Sequence, residues 1–316
     1  MEKQTAHFNL VKMQNCKVVR NLLRAESPLG IGALSKRSGL TYPTVSSLIK
    51  DLLERNEVSV AAGTESSGGR PGARYALNAS YQFGLVLYFD HFILRAAVCD
   101  SYGIPTARFE LPVSAHCTAE TVSDFVCGIR NEFKPISAVA LGIPGIVDGS
   151  EITHVPRFPL LEGTELAALL ETELQAAVFI ENDVNATAFA QTERLRNFAH
   201  VAYVNGCIGT GIVLDGKLFR GAHGFAGELE SVCSDLSDAA ASLTQCVTVL
   251  TCVLDVPDVL VSGERVTDDL LRCVRARLSA SLPANRIPRL QFVPDMLALY
   301  EAGLRKMIVT EWCERT

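Results

Sequence analysis

Long apolar runs are missing from this chain. Stretches such as 84–88 and 138–143 are of strand length, far short of the roughly 20 residues a membrane helix needs. The opening Met1-Glu-Lys-Gln-Thr5 lacks a basic start followed by an apolar stretch, so nothing there directs export. A cytoplasmic protein with no membrane partner is expected. Closely paired cysteines are missing too. Ten cysteines are scattered with no Cys-x-x-Cys pair, which excludes a recognisable disulfide framework and predicts reduced, buried thiols. A basic overall balance is also lacking, since the net charge is −6.

What is present is a globular composition. The 316 residues are 48% hydrophobic and 20% charged, with a mean hydropathy of +0.21, and the length predicts two or three domains. The average charge hides an asymmetry. Residues 1–80 hold eleven Lys/Arg against six Asp/Glu, and the remainder eighteen against twenty-nine. A small basic module on an acidic body suits a protein that sets one end on a polyanion, although a solvated basic face would look the same.

The first eighty residues carry that module. An amphipathic pattern predicts a helix over 15–25, and a shorter one follows over 31–38. Gly39-Leu40-Thr41 then reads as a turn, with Gly39 free to take positive φ and Thr41 able to cap the next helix. Pro43 suits a first helical turn, and Val45, Leu48, Ile49, Leu52 and Leu53 recur at helical spacing. The opposite face presents Tyr42, Thr44, Ser46, Ser47 and Lys50, short polar groups and one cation that fit a major groove. A packing unit with a polar outer face is the plainer alternative. Two strands, 58–62 and 73–77, flank a glycine-rich tip in which Arg70 stands between Gly69 and Pro71. Such a tip reads as a wing able to place a guanidinium in a minor groove, or else as an unstructured hairpin end. Together these features predict a winged helix-turn-helix over residues 1–80, with double-stranded DNA as partner.

From Phe83 onward the pattern is one of strands leading into helices. Strands are predicted at 84–89, 94–99, 104–113, 137–143 and 177–180, a hairpin about Asp215-Gly216, and later strands at 259–261 and 290–293. Helices fall near 119–133, 237–252, 266–281 and 294–309, and another starts around Asp183. The fold class is therefore α/β.

The run from Leu29 to Leu53 followed by Ser67-Gly-Gly-Arg-Pro71, with Gly142-Ile-Pro-Gly-Ile-Val-Asp-Gly149, Glu181-Asn-Asp-Val-Asn-Ala186 and Gly224-Phe-Ala-Gly-Glu228, resembles the regulator branch of the ROK family (repressors, open reading frames and kinases). The resemblance implies an actin-like or hexokinase-like domain over 81–316, two ribonuclease-H-like lobes around a sugar cleft. It implies that Gly145 lies beside the sugar, that Asn182 and Asp183 contact it, and that Glu228 also binds it. Read from the residues alone, Asn182-Asp183 serves equally as a helix cap, and Glu228 as a first-turn acid.

Three departures from the family pattern argue against catalysis. The family's first phosphate turn, Asp-x-Gly-x-Thr, is replaced by Asp90-His-Phe-Ile-Leu94. The adenosine-side glycine pair reads Ser262-Gly263-Glu264, while Gly206, Gly209 and Gly211 suit either a phosphate loop or tight strand packing. The family's zinc-binding cysteine run is absent from Glu228-Leu-Glu-Ser-Val-Cys-Ser-Asp235, with Glu230 in place of its histidine. His223 is expected as a packed or hydrogen-bonded core residue. No catalytic residue, metal ligand or cofactor is therefore expected. The expectation is a homodimeric or larger repressor of carbohydrate genes, governed by a sugar or sugar phosphate. The rival is an ATP-dependent sugar kinase using Asp183 as base, and a third reading keeps the DNA-binding end with a vestigial cleft.

Overall fold

A computed structural model of the chain describes residues 2–61, 72–204, 206–233 and 235–314, with side chains from Leu10 onward. Residues 62–71, which hold Arg70 and all of the expected wing tip except Gly72, lie outside the described residues.

The N-terminal unit begins with α1 (Glu2–Glu26). It starts well before the expected residue 15, and Leu10, Val11 and Met13 within it are exposed. Next come β1 (Leu29–Gly30), α2 (Ile31–Ser38) and α3 (Tyr42–Glu54). Gly39 takes φ +71° and ends α2, and Thr41 caps α3 by accepting from the Thr44 N–H at 3.3 Å. Burial of Val45, Leu48, Ile49 and Leu52 against Val19 and Leu34 holds the three helices together. β2 (Val58–Val60) and β3 (Arg74–Leu77) complete an antiparallel sheet in the order β1-β3-β2.

The remaining chain forms two sheets of one topology. In the first lobe β4 (Phe83–Asp90), β5 (Ile93–Cys99) and β6 (Pro105–Pro112) make an antiparallel meander. After α4 (Ala119–Glu132), β7 (Ile136–Ile143) joins β4 in parallel. The chain continues through a small hairpin, β8 (Ile146–Asp148) and β9 (Glu151–His154), and α5 (Leu166–Leu174). β10 (Ala177–Asn182) then adds in parallel to β7, giving the order β10-β7-β4-β5-β6. α6 (Asp183–Phe189) leads to the second lobe.

That lobe repeats the plan. β11 (Phe198–Val204), β12 (Cys207–Leu214) and β13 (Lys217–Leu218) form the meander. α7 (Ala239–Leu254), β14 (Asp258–Ser262), α8 (Asp268–Ser281) and β15 (Arg289–Phe292) follow. β14 and β15 add in parallel, for the order β13-β12-β11-β14-β15. The Asp215-Gly216 turn has both residues at positive φ, the hairpin geometry its sequence predicts. β11, α5 and the β8–β9 hairpin were not among the expected elements. The mixed α/β, sugar-kinase-like two-lobe architecture was expected.

The last helix, α9 (Met296–Glu314), returns from the second lobe to the first. Tyr300, Leu304, Ile308 and Trp312 pack on Val86, Ala138 and Ala186. Its C-terminal end meets α1. Asn21 donates to Cys313 O at 3.0 Å and Lys17 to Glu314 O at 2.6 Å, so side chains of the N-terminal unit satisfy carbonyls left open at the end of α9.

Trp312 is 4% exposed and donates to Ser137 Oγ at 2.9 Å. Trp312→Ala should cost about 3–5 kcal/mol, read by urea unfolding followed with circular dichroism. A loss below about 1 kcal/mol would show that this end of α9 is not an anchor.

Candidate functional site

Two groups of residues were singled out, at opposite ends of the molecule's sequence. On α3, Tyr42, Ser47 and Lys50 are exposed, and Thr44 and Ser46 half-buried. The Thr44 hydroxyl is partly engaged, 2.8 Å from Thr41 Oγ1. Lys50 lies 3.9 Å from Glu54, with both side chains mostly in solvent, so its charge stays available to a ligand. Lys36 and Arg37 form a further basic pair in the last turn of α2, which the sequence reading passed over. Arg70 lies outside the described residues.

The second group comes together where β10 runs into α6. Asn182 is the N-cap of α6: its Oδ1 accepts from the N–H groups of Val184 and Asn185, each at 2.9 Å. Its Nδ2 donates to Gly145 O at 2.9 Å. The capping alternative is therefore the geometry present, and one amide hydrogen is left for a ligand. Gly145 is needed for close approach, since a Cβ there would lie 2.2 Å from His154 O.

Asp183 is half-buried beside this clasp, accepting from the Val184 N–H at 2.9 Å. Burial raises its pKa to about 6, helped by the charge of Glu228 and opposed by the Val184 hydrogen bond and by Arg157. Glu228, also half-buried, is raised by burial and by Glu230, with His154 opposing. Gly227 before it has φ +100°, and a Cβ there would lie 2.2 Å from Thr210 O. Gly145, Asn182, Asp183 and Glu228 thus share one site, flanked by His154 and Arg157. Two carboxylates, an amide and a backbone carbonyl suit a polyhydroxyl ligand.

Sequence reasoning missed the support beneath these groups. Glu181, 4% exposed, accepts from Arg220 Nε at 2.9 Å, from its own neighbour Asn182 N at 3.0 Å, and from Asn185 Nδ2 at 3.1 Å. Arg220 follows β13, so this ion pair joins the lobes. Glu181 stood within the quoted motif. Nothing in the sequence marked Arg220 as its partner. Tyr300 also escaped: it lies under Gly142, where a Cβ would sit 2.1 Å from its hydroxyl, and that hydroxyl has no hydrogen-bond partner.

In the β4–β5 turn His91 takes φ +53°. Asp90 is held by His91 and Arg95, each at 3.0 Å. Phe92 packs on Phe158 with centroids 5.9 Å apart, and Arg157 lies over its ring at 5.7 Å. Gly209 and Gly211 lie in β12 against Val184 and Ala188, which is the strand-packing alternative. A groove of about 470 Å³ remains beside Tyr203, Gly206, Glu264 and Arg265. His223 corrects one expectation. Its side chain is 83% exposed and 3.4 Å from Asp148, because it sits on a loop outside the core. Among the described residues no group of three or more His, Cys, Asp or Glu is placed to hold a metal ion.

Two outcomes follow. Because the fold raises the pKa of Asp183 above the usual value of 3.8, folding favours its neutral form. Its contribution is greatest at low pH and falls as pH rises from about 4 through about 6, by on the order of 3 kcal/mol. Asp183→Asn should remove that fall, seen as a difference between variant and parent in unfolding free energy against pH. An unchanged profile would contradict the burial. Arg220→Ala should destabilise by about 2–3 kcal/mol, because the Glu181 carboxylate stays buried with two of its donors. Arg220→Lys should recover part of the loss in the same urea titration.

Comparison with known proteins bears on this geometry. The chain is 26% identical over 252 residues to the xylose repressor of Bacillus spizizenii, covering 75% of this chain and 65% of that protein. It is 21% identical over 241 residues to the DNA-binding transcriptional dual regulator NagC of Escherichia coli, covering 72% and 59%. The chain thus spans under two thirds of these relatives' length. Among solved structures, a ROK family transcriptional regulator described as a homologue of the Escherichia coli MLC protein superposes with a TM-score of 0.72 and 16% identity, over 96% of this chain and 98% of that one. A ROK family glucokinase from Streptomyces griseus, in complex with glucose and AMPPNP, superposes at 0.54 and 17%, over 71% and 98%. The ROK family model matches residues 95–242, a stretch running from β5 through the β10–α6 junction into α7.

Proposed function

We propose that this protein is a sequence-specific DNA-binding transcriptional regulator, a cytoplasmic repressor of carbohydrate-metabolism genes that responds to a sugar or sugar phosphate. Residues 1–80 act as a winged helix-turn-helix and 81–316 as the effector and dimerisation domain. The observation that carries the reading is α3. Its apolar face is buried in the N-terminal core, and Tyr42, Ser47 and Lys50 on the other face are exposed. The repressor names of its relatives support the same direction.

In this reading α3 enters the major groove, with Thr44 and Ser46 at its edge and Arg70 of the wing in the adjacent minor groove. A homodimer, or a larger homo-oligomer, presents two such helices to a palindromic operator. Gly145, Asn182, Asp183 and Glu228 hold the effector. A hydroxyl donated to Asp183 favours its ionised form, so binding should tighten as pH rises through about 6. The β4–β5 turn, with Phe92 packed on Phe158, leaves no glycine to wrap a phosphate, and we infer that the chain is not a kinase and uses no cofactor.

Selection from a random duplex library should enrich a palindrome. Lys50→Ala should weaken its binding and lower the salt slope by about 1, while Ser47→Ala should relax base preference. Absent or sequence-indifferent binding would overturn the proposal. Thermal shift against sugars and sugar phosphates identifies the effector; no stabilisation by any of them favours the vestigial cleft.

A kinase reading is favoured by one observation, the pKa of about 6 at Asp183, which suits a general base. ADP formed from Mg-ATP with a sugar panel, and lost in Asp183→Asn, would establish it.

A further inference from the structure

The segment after Glu228 carries a thiol pair that neither the cleft nor the DNA-binding face uses. Leu229–Val232 form a short 3-10 turn that Cys233 closes. Cys246 lies in the middle of α7, fully buried in the second lobe's core. The two sulfurs are 3.6 Å apart. A disulfide places them about 2.05 Å apart, so an approach of about 1.5 Å would join them. Cys233 can supply that movement, since it is half-buried and, among the described residues, its thiol is otherwise held by long contacts to Leu229 O at 3.5 Å and Ser242 O at 3.8 Å.

The neighbourhood separates the two sulfurs by role. Cys246 has no route to solvent of its own, and burial together with the Cys233 sulfur pushes its thiol far up. Cys233 is the one an oxidant can reach. The exposed cysteines, Cys207, Cys252 and Cys273, make no sulfur–sulfur contact, so among the described residues only this pair is set for an intramolecular bond. The turn is tied at its other side as well, because Glu230 accepts from Ile208 N at 3.1 Å.

We propose that Cys233 and Cys246 form a reversible disulfide on exposure to a hydroperoxide, a modification that locks the turn carrying Glu228 and Glu230 onto α7. The Cys233 thiolate attacks a peroxide oxygen, the O–O bond breaks and the leaving oxygen departs after protonation, as water from hydrogen peroxide or as an alcohol from an organic hydroperoxide, giving the sulfenic acid. Cys246, losing its proton, attacks the Cys233 sulfur; the S–S bond forms, the S–O bond breaks and water leaves. Two thiols are oxidised and one peroxide is reduced. A thiol reductant reverses the bond.

Peptide mapping of the reduced full-length chain, treated with one equivalent of hydrogen peroxide and then alkylated, tests this. The expected product joins the Cys233 and Cys246 peptides with the loss of two hydrogens, and dithiothreitol returns both in alkylatable form. Hydrogen exchange over 228–233 should slow several-fold in the oxidised protein and recover on reduction. Cys233→Ser should abolish the joined peptide, and Cys252→Ser should leave it in full yield. Cys246→Ala, checked by its melting temperature, gives a second abolishing variant. Both thiols still alkylatable after peroxide, Cys233 carried on to sulfinic acid, or Cys233 joined instead to a cysteine of another molecule would each overturn the proposal.

Discussion

A carboxylate buried at the junction of two lobes governs the site. Glu181 has almost no solvent, and an isolated charge there would be strongly unfavourable. Three donors from different parts of the chain resolve this: the next residue's N–H, the Asn185 amide on α6, and the Arg220 guanidinium from beyond β13. Because the partners converge on one group, β10 stops where it does, α6 starts at the next residue, and the second lobe is held against the first. Asn182 then caps α6 and reaches Gly145. Asp183 occupies its partly dry position because its neighbours are fixed on both sides. The groups proposed to meet a ligand are the outer layer of a clasp whose inner layer is Glu181.

α9 extends that clasp toward the N-terminal unit. Gly303 packs so closely on α6 that a Cβ would lie 1.8 Å from Ala186 O, and Tyr300 is wedged under Gly142. Fourteen residues separate Tyr300 from Glu314, about 21 Å along a helix. At that far end Lys17, Asn21 and Arg24 engage the Cys313 sulfur and the last carbonyls. A stiff helix therefore touches the floor of the proposed effector site with one end and α1 with the other. Packed interfaces shift between discrete arrangements rather than bending continuously. In the proposed regulator, closure of the lobes would act on the α1–α9 contact through this element.

The N-terminal unit was legible because its signals are local. Gly39, Thr41 and Pro43 announce a turn and a helix start within five residues, and the chain obeys them. Buried strands such as β7 showed as apolar runs. β11 did not, because His200 interrupts Phe198–Val204 and becomes acceptable only through its contact with Ser262 Oγ, sixty-two residues away. Around Leu10, Val11 and Met13, which are exposed, α1 had no buried periodic stripe to read. For the site, the motifs located Asn182, Asp183 and Glu228, yet their residue types could not say whether a side chain caps a helix or meets a ligand. Asn182 does the first while keeping a hydrogen for the second. Pairings across long separations, Glu181 with Arg220 and Cys233 with Cys246, leave no mark on local pattern, since they depend on how two sheets are set against each other.

The charge asymmetry gains a physical sense from this arrangement. The basic excess lies in the first eighty residues, and the acidic excess in the body behind it. On a polyanion such a molecule orients before any base is read, because the body is repelled while the head is drawn in. Orientation supplies affinity without sequence preference, and that affinity would hold the protein on DNA whether or not effector is bound. An effector can only release it through a difference in its own affinity for the two lobe arrangements, and shifting a population from 1:99 to 99:1 takes about 5.5 kcal/mol of such difference. Contacts to Asp183 and Glu228 suit that purpose better than contacts to an exposed pocket would. Both carboxylates are already disfavoured as anions by burial, so a hydroxyl delivered only in the closed arrangement relieves a penalty that the open one leaves in place.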